Sequence, residues 1–136
     1  MTEEEKIAAT AKANSKQKSL EMLFDYTKFH IGLYLALSTS YITVTTAKIG
    51  ANQLFKPNPR LFWLAVIAFG LAGLAGGVIA SSITQTQARS SRDFLAEPIG
   101  PWDWTAIFFP ARIWTWIEHT SFWCGLVLAV LSLTVA

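Results

Sequence analysis

Charge is what this chain has least of. Only 15% of its 136 residues are Asp, Glu, Lys or Arg, while 52% are hydrophobic. A soluble globular domain carries about 25% charged residues. The shortage is also uneven: charges gather at 3–28, 48–60 and 89–118, and the stretches between hold none. That pattern argues against a soluble core and for segments that sit in lipid. Cysteine is nearly absent. Cys124 alone can make neither an internal disulfide nor a multi-cysteine metal site. It lies in an apolar run, where a thiol acts as a small hydrophobe. The net charge of +2 leaves no basic patch for phosphates, so nucleic acid is not an expected partner. Residues 1–12 hold Glu3, Glu4 and Glu5 and no apolar core. A cleavable signal peptide has a basic start and an apolar run, so the N-terminus is expected to be kept.

What is there is three charge-free runs. Residues 29–47 number 19, close to the ~20 that cross ~30 Å of hydrocarbon as a helix. This run is the most polar, with Ser38, Thr39, Ser40, Thr43, Thr45 and Thr46. Such hydroxyls are tolerated because they bond back to a carbonyl one turn earlier. Residues 61–83 hold 23 positions without a charge, including Gly70, Gly73, Gly76 and Gly77. In a bilayer glycine is compatible with a helix, since the alternative is an unsatisfied backbone. The third run is expected at 117–136, with Glu118 and His119 at its entrance. None of the three is expected to bury a charge. Proton relays, voltage sensors and coupled transporters usually place acids or bases at mid-membrane, which speaks against a pump or secondary transporter.

The connections differ. Residues 49–60, with Pro57 and Pro59, form a short loop that makes the first two spans antiparallel neighbours. Residues 84–101 are polar. Residues 102–116 interleave Trp102, Trp104, Phe108, Phe109, Trp114 and Trp116 with Asp103 and Arg112. Tryptophan prefers the headgroup level, so this stretch is expected to lie along the interface, broken at Pro110, with its four tryptophans as depth anchors. The first 28 residues are expected to be helical. Thr2 with Glu5 fits a capping box, and early glutamates suit a helix N-terminus. Leu20, Leu23, Phe24 and Ile31 follow helical spacing, so this helix can run without a break into the first span, as a stalk or an amphipathic surface helix. Basic residues set the orientation. The N-terminal segment and the second loop together carry eight and the first loop three, which puts the N-terminus in the cytoplasm and the C-terminus outside. The expected fold is all-α: a cytoplasmic helix at 1–28, then a three-helix transmembrane domain at 29–136 in the cytoplasmic (inner) membrane.

Four features could carry function. Ala68, Ala72, Gly76 and Ala80 recur every four positions, and Gly73 with Gly77 makes a GxxxG. Small residues let helix backbones approach closely, either between copies and partner subunits or, more plainly, between spans of one chain. Thr39, Thr43 and Thr46 form a hydroxyl band, with Ser38, Tyr41 and Thr45 on another side. The band could line a narrow aqueous path in an oligomer; the plainer role is interhelical hydrogen bonding. His30 and His119 are expected at similar depth near the cytoplasmic ends of their helices, where two imidazoles could ligate haem iron or part of a metal site. Glu118 or Asp103 would then be a further ligand or a supporting partner. In span count and in carrying helical histidines the layout is similar to the small three-span anchors of succinate dehydrogenase-type complexes, which implies haem there. No sequence motif of that family is present. Finally, Tyr26, Lys28, His30, Asp103, Arg112, Glu118 and His119 would form a polar ring at the cytoplasmic interface. No pair in it has a catalytic spacing, and Ser121 has no identified base, so an ordinary rim outweighs an enzyme.

The reading that follows is a non-enzymatic membrane protein without a cofactor. It would self-assemble, or dock on a larger complex, through its helices, and permeabilise or sense the bilayer. The alternative is an accessory or anchor subunit of an electron-transfer complex.

Overall fold

A computed structural model describes residues 2–49, 52–85, 90–100 and 109–135. The chain is all-α in its main elements: α1 (Glu3–Thr46), α2 (Pro59–Gln85), the short α3 (Ser91–Ala96) and α4 (Ala111–Thr134). Two minimal antiparallel ladders punctuate them, β1 (Lys48–Ile49) with β2 (Asn52–Gln53), and β3 (Pro98–Ile99) with β4 (Phe109–Pro110).

Three of the four helices begin at a side-chain cap, α4 being the exception. The Thr2 hydroxyl accepts from Glu5 N–H and the Glu5 carboxylate accepts from Thr2 N–H, the reciprocal pair of a capping box. No Pro or Gly interrupts until Gly32, and α1 continues through it as one helix of 44 residues. Beyond the first turns, residues 3–15 are exposed all round and carry a single large apolar side chain, Ile7. Residues 3–15 therefore carry no apolar stripe. At α2 the Asn58 side chain accepts from Arg60 and Leu61 N–H, and Pro59 takes the first helical position, where its missing N–H costs nothing. Ser90 caps α3 through Asp93 N–H.

α1 and α4 run parallel and α2 runs antiparallel to both. The register is set by Tyr26 beside His119, Tyr34 beside Glu118 and Phe122, and Tyr41 beside Ser132. α2 packs closely along α4 and less extensively along α1. Its inner face is Ala65, Ala68, Phe69, Ala72, Ala75 and Ile79, small residues that let α4 approach, with Gly125 and Ala129 opposite. One core joins Tyr34, Tyr41, Ala65, Phe69, Ala72, Phe122 and Ala129. A second, at the α3 end, joins Ile79, Phe94, Ile99 and Ala111, with Leu20 and Leu23 of α1 against it.

Large apolar side chains also cover the outside of the bundle, and a few polar ones lie within it. Trp63, Leu64, Ile67, Leu71 and Leu74 of α2 and Trp123, Val127 and Val130 of α4 are exposed, while Thr27, Thr45, Glu118 and Ser132 are buried. Both α2 and α4 are long and apolar enough to cross a membrane.

Three expectations need correction. α4 starts at Ala111, six residues before the expected 117, so Trp114 and Trp116 belong to its first turns and not to a separate interfacial segment; Trp102, Asp103 and Trp104 lie outside the described residues. The helix starts early because Pro110 suits the position before the first turn and Trp114 Nε1–H is drawn to the Ile99 carbonyl at 2.9 Å. The connection read as merely polar contains α3, whose Phe94 is fully buried. The third correction, a buried acid, defines the candidate site.

Candidate functional site: a buried acid in the α1–α4 seam

α1 and α4 meet mainly through long side chains. Glu118 lies two turns into α4, about 10 Å from its start at 1.5 Å per residue. Its residue is 2% exposed. The expectation that no span buries a charge is therefore overturned for Glu118, which sits inside a helix able to cross a membrane and not at its mouth.

The acid has a built environment. Tyr34 Oη donates to Glu118 Oε1 at 2.9 Å. Tyr34 is itself 2% exposed and its ring packs on Phe122, with centroids 4.6 Å apart. On the α2 side the facing residue is Gly76. A Cβ there would lie 3.5 Å from Glu118 Oε1, an ordinary contact, and 3.0 Å from Ile31 Cγ1, so what the glycine accommodates is the close approach of Ile31. Glu118 Oε2 lies 3.9 Å from His119 Nδ1, beyond hydrogen-bond length but close enough to pair if the ring is charged.

The two histidines are held alike. His30 Nδ1 and His119 Nδ1 each lie 2.8 Å from the carbonyl one turn earlier, of Tyr26 and Thr115 respectively. A carbonyl only accepts, so both Nδ1 atoms carry the proton and Nε2 is left as the acceptor of each neutral ring. His119 Nε2 lies 3.4 Å from Tyr26 Oη. The imidazole centroids are 5.7 Å apart. Tyr26 sits against both rings, 3.9 Å from His30 and stacked 6.5 Å from His119. Tyr26 is half exposed, so the cluster runs from a solvent-facing edge at Tyr26 and His30 inward to Glu118 and Tyr34. Among the described residues every buried polar side-chain atom has a partner.

Of the polar ring read from the sequence, the structure joins Tyr26, His30, Glu118 and His119 and adds Tyr34. Lys28 is exposed over the Phe24 ring and Arg112 is exposed near the start of α4; Asp103 lies outside the described residues. The structure brings His30 and His119 together, with Tyr26 beside both rings and His119 Nε2 facing the Tyr26 hydroxyl. Among the described residues no group of three His, Cys, Asp or Glu side chains could hold a metal ion. Sequence reasoning missed Tyr34. The signal was its helical register: Tyr26, His30 and Tyr34 recur every four residues along one face of α1.

The small-residue set divides. Ala68, Ala72 and Gly76 are buried against the other helices and Ala80 is half buried. Gly70, Gly73 and Gly77 point the other way, and a Cβ at any of them would meet nothing within 4 Å. The hydroxyl band divides too. Thr39, Thr43 and Thr46 are exposed, while Tyr41 and Thr45 are buried. Thr45 and Thr46 donate back to carbonyls of their own helix, and Tyr41 Oη and Ser132 Oγ share a buried hydrogen bond of 2.6 Å.

Neither the known protein families, nor the curated proteins, nor the solved structures include a match to this chain.

Proposed function

We propose that the chain is a non-enzymatic integral membrane protein with three spans that self-assembles laterally through the outer face of α2. The observation that carries this reading is the uncovered glycine row. Gly70, Gly73 and Gly77 follow helical spacing on the side of α2 turned away from α1 and α4, with open space over each. In lipid, association is driven by close backbone packing, which such a row permits. The flanking side chains are the exposed Trp63 and Leu74, which a second helix would cover.

In this reading α1 supplies the first span from about residue 29 and extends into the cytoplasm as a stalk, with α2 and α4 as the second and third. The excess of basic residues in the N-terminal segment and the second loop orients it in the cytoplasmic membrane with the C-terminus outside. The core of one copy is filled by Phe69 and Phe122, so any water path would lie between copies, along Thr39, Thr43 and Thr46. That favours a sensing or scaffolding role over a pore within one subunit.

The test is native mass spectrometry of the full chain in a mild detergent. Wild type is expected as a homo-oligomer, and Gly73→Leu and Gly77→Leu as folded monomers. A strictly monomeric wild type, in detergent and in nanodiscs, would sink the proposal.

A further inference from the structure

We propose that Glu118 and His119 are a proton-binding site built into the α1–α4 seam, one that exchanges its proton across the half-exposed Tyr26–His30 face. This inference rests on the bundle itself and not on lateral assembly.

A carboxylate buried among helices needs a countercharge, because burying an isolated ionised group is very costly. Among the described residues, the titratable groups facing Glu118 are few. α1 contributes Tyr34, Tyr26 and His30, α4 contributes His119, and α2 presents only Gly76 and apolar side chains. Lys28 and Arg112 are exposed, with Lys28 over the Phe24 ring. Among the described residues no Lys or Arg therefore neutralises the acid, and the compensating charge is a proton.

That proton has two seats. With the imidazole protonated at both nitrogens, Glu118 is a carboxylate 3.9 Å from a cation. With the ring neutral, the carboxyl group carries the proton itself. The two arrangements contain the same atoms and the same net charge. Removing the proton leaves a lone buried carboxylate, and adding a second leaves a lone imidazolium. The site thus holds one proton and registers its gain or loss as a change of net charge in the seam.

The surroundings fit this use. Glu118 has a fixed hydrogen-bond donor in Tyr34, and α2 faces the carboxyl group with Gly76, which brings no polar side chain. The ring atom that would take up a proton is His119 Nε2, since Nδ1 is already bonded to the Thr115 carbonyl. Nε2 faces the hydroxyl of Tyr26, on the solvent-facing edge. Past Tyr34 the interior is closed by Phe69 and Phe122, so the cluster is a pocket for a proton and not a path through the bundle. An ionisable group inside a membrane span marks function more often than structure.

The experiment is infrared difference spectroscopy on the full chain in nanodiscs, combined with nitrogen NMR of the histidines, between about pH 4 and pH 9, which brackets the ordinary Glu and His values. The expected result is a protonated-carboxyl band that appears and disappears with pH and is missing in Glu118→Gln. The His119 signal, identified by its loss in His119→Gln, should titrate with a midpoint that differs in Glu118→Gln. Tyr34→Phe keeps both titrating groups and the ring packing, so it should move the carboxyl step while helical content stays unchanged, even if Glu118→Gln does not fold. A carboxyl band that survives in Glu118→Gln would overturn the proposal. So would a Glu118 carboxyl that keeps one protonation state throughout, or a carboxyl step that Tyr34→Phe leaves in place.

Discussion

Tyr34 and Glu118 lie 84 residues apart in the chain and 2.9 Å apart in the fold, hydroxyl donating to carboxyl across the α1–α4 seam. Both are almost fully buried, so neither partner has water to fall back on. A hydrogen bond to a charged group contributes about 1.5–3 kcal/mol, and its loss leaves a buried acceptor short of a donor. Tyr34→Phe should therefore lower stability by about 2 kcal/mol in a denaturation titration of the detergent-solubilised protein. Glu118→Gln keeps an oxygen for the hydroxyl and should cost less than Glu118→Leu. If Tyr34→Phe matched wild type, the contact would not be holding the seam.

Gly125 of α4 lies directly against the Phe69 ring of α2. A Cβ added there would sit 2.9 Å from two atoms of the Phe69 ring, and Phe69 is buried with little room to retreat. Gly125→Ala is expected to cost about 1–3 kcal/mol through overpacking. Pairing it with Phe69→Leu should recover part of the loss, because the two changes share one space. Gly73→Ala meets no neighbour and should leave the monomer's stability unchanged. Equal effects at the two glycines would mean that helix propensity, not packing, decides both.

The difference between those glycines marks the limit of what could be read from the sequence. Periodicity located the helices, since residues 61–83 fall within α2 and the capping box at Thr2 starts α1. Composition also placed the apolar helices. It could not tell which small residues face inward, because Ala72 and Gly73 are neighbours in sequence, yet Ala72 is buried while a Cβ on Gly73 would meet nothing. It placed Glu118 at a helix entrance because a single charge ends an apolar run in any charge count. It is buried in the structure because α2 packs over it at Gly76 and Tyr34 on α1 supplies a donor. Neither relation is local, so neither leaves a mark in the sequence around Glu118. Phe94 is a similar case: its stretch reads as polar, and only the hollow between Ile79, Ile99 and Ala111 makes it core.

At the opposite end of the bundle, Tyr41 and Ser132 share a 2.6 Å hydrogen bond just beside the Asn58 N–H to Ser132 carbonyl contact of 2.8 Å. This end ties all three long helices together. Ser132→Ala leaves the Tyr41 hydroxyl buried without its partner and should cost about 1–3 kcal/mol. Removing both groups with Tyr41→Phe should cost less than the sum of the single changes, the signature of a direct interaction. Strict additivity in that double-mutant cycle, read by denaturation, would show that the two hydroxyls do not depend on each other.

Phe94 is the most deeply buried side chain of the second connection. It holds α3 beneath Ile79 and beside Ala111, and Ser91 N–H reaches Ser19 Oγ of α1 at 3.1 Å. Truncating a buried phenylalanine costs about 3–5 kcal/mol when the site cannot collapse. Here the loss should be local, since α3 has six residues and little else anchors it. Phe94→Ala should raise hydrogen exchange across residues 91–99 while the centres of α2 and α4 stay protected.

The single cysteine gives a direct test of the three-span arrangement. Cys124 is exposed on α4, beside Trp123 and one turn from Val127 and Leu128, so in a bilayer it faces acyl chains. A charged, membrane-impermeant maleimide should leave it unmodified in sealed vesicles, and a small apolar thiol reagent should reach it. A charged reagent does not enter the hydrocarbon in which the thiol would lie. In a Cys124→Ser background, Ser15→Cys on α1 should label only when the reagent reaches the cytoplasmic side, and Asn52→Cys at the start of β2 only from the other. Labelling of both from one side would put an even number of crossings between them, and the segment at 29–47 would then not be a span.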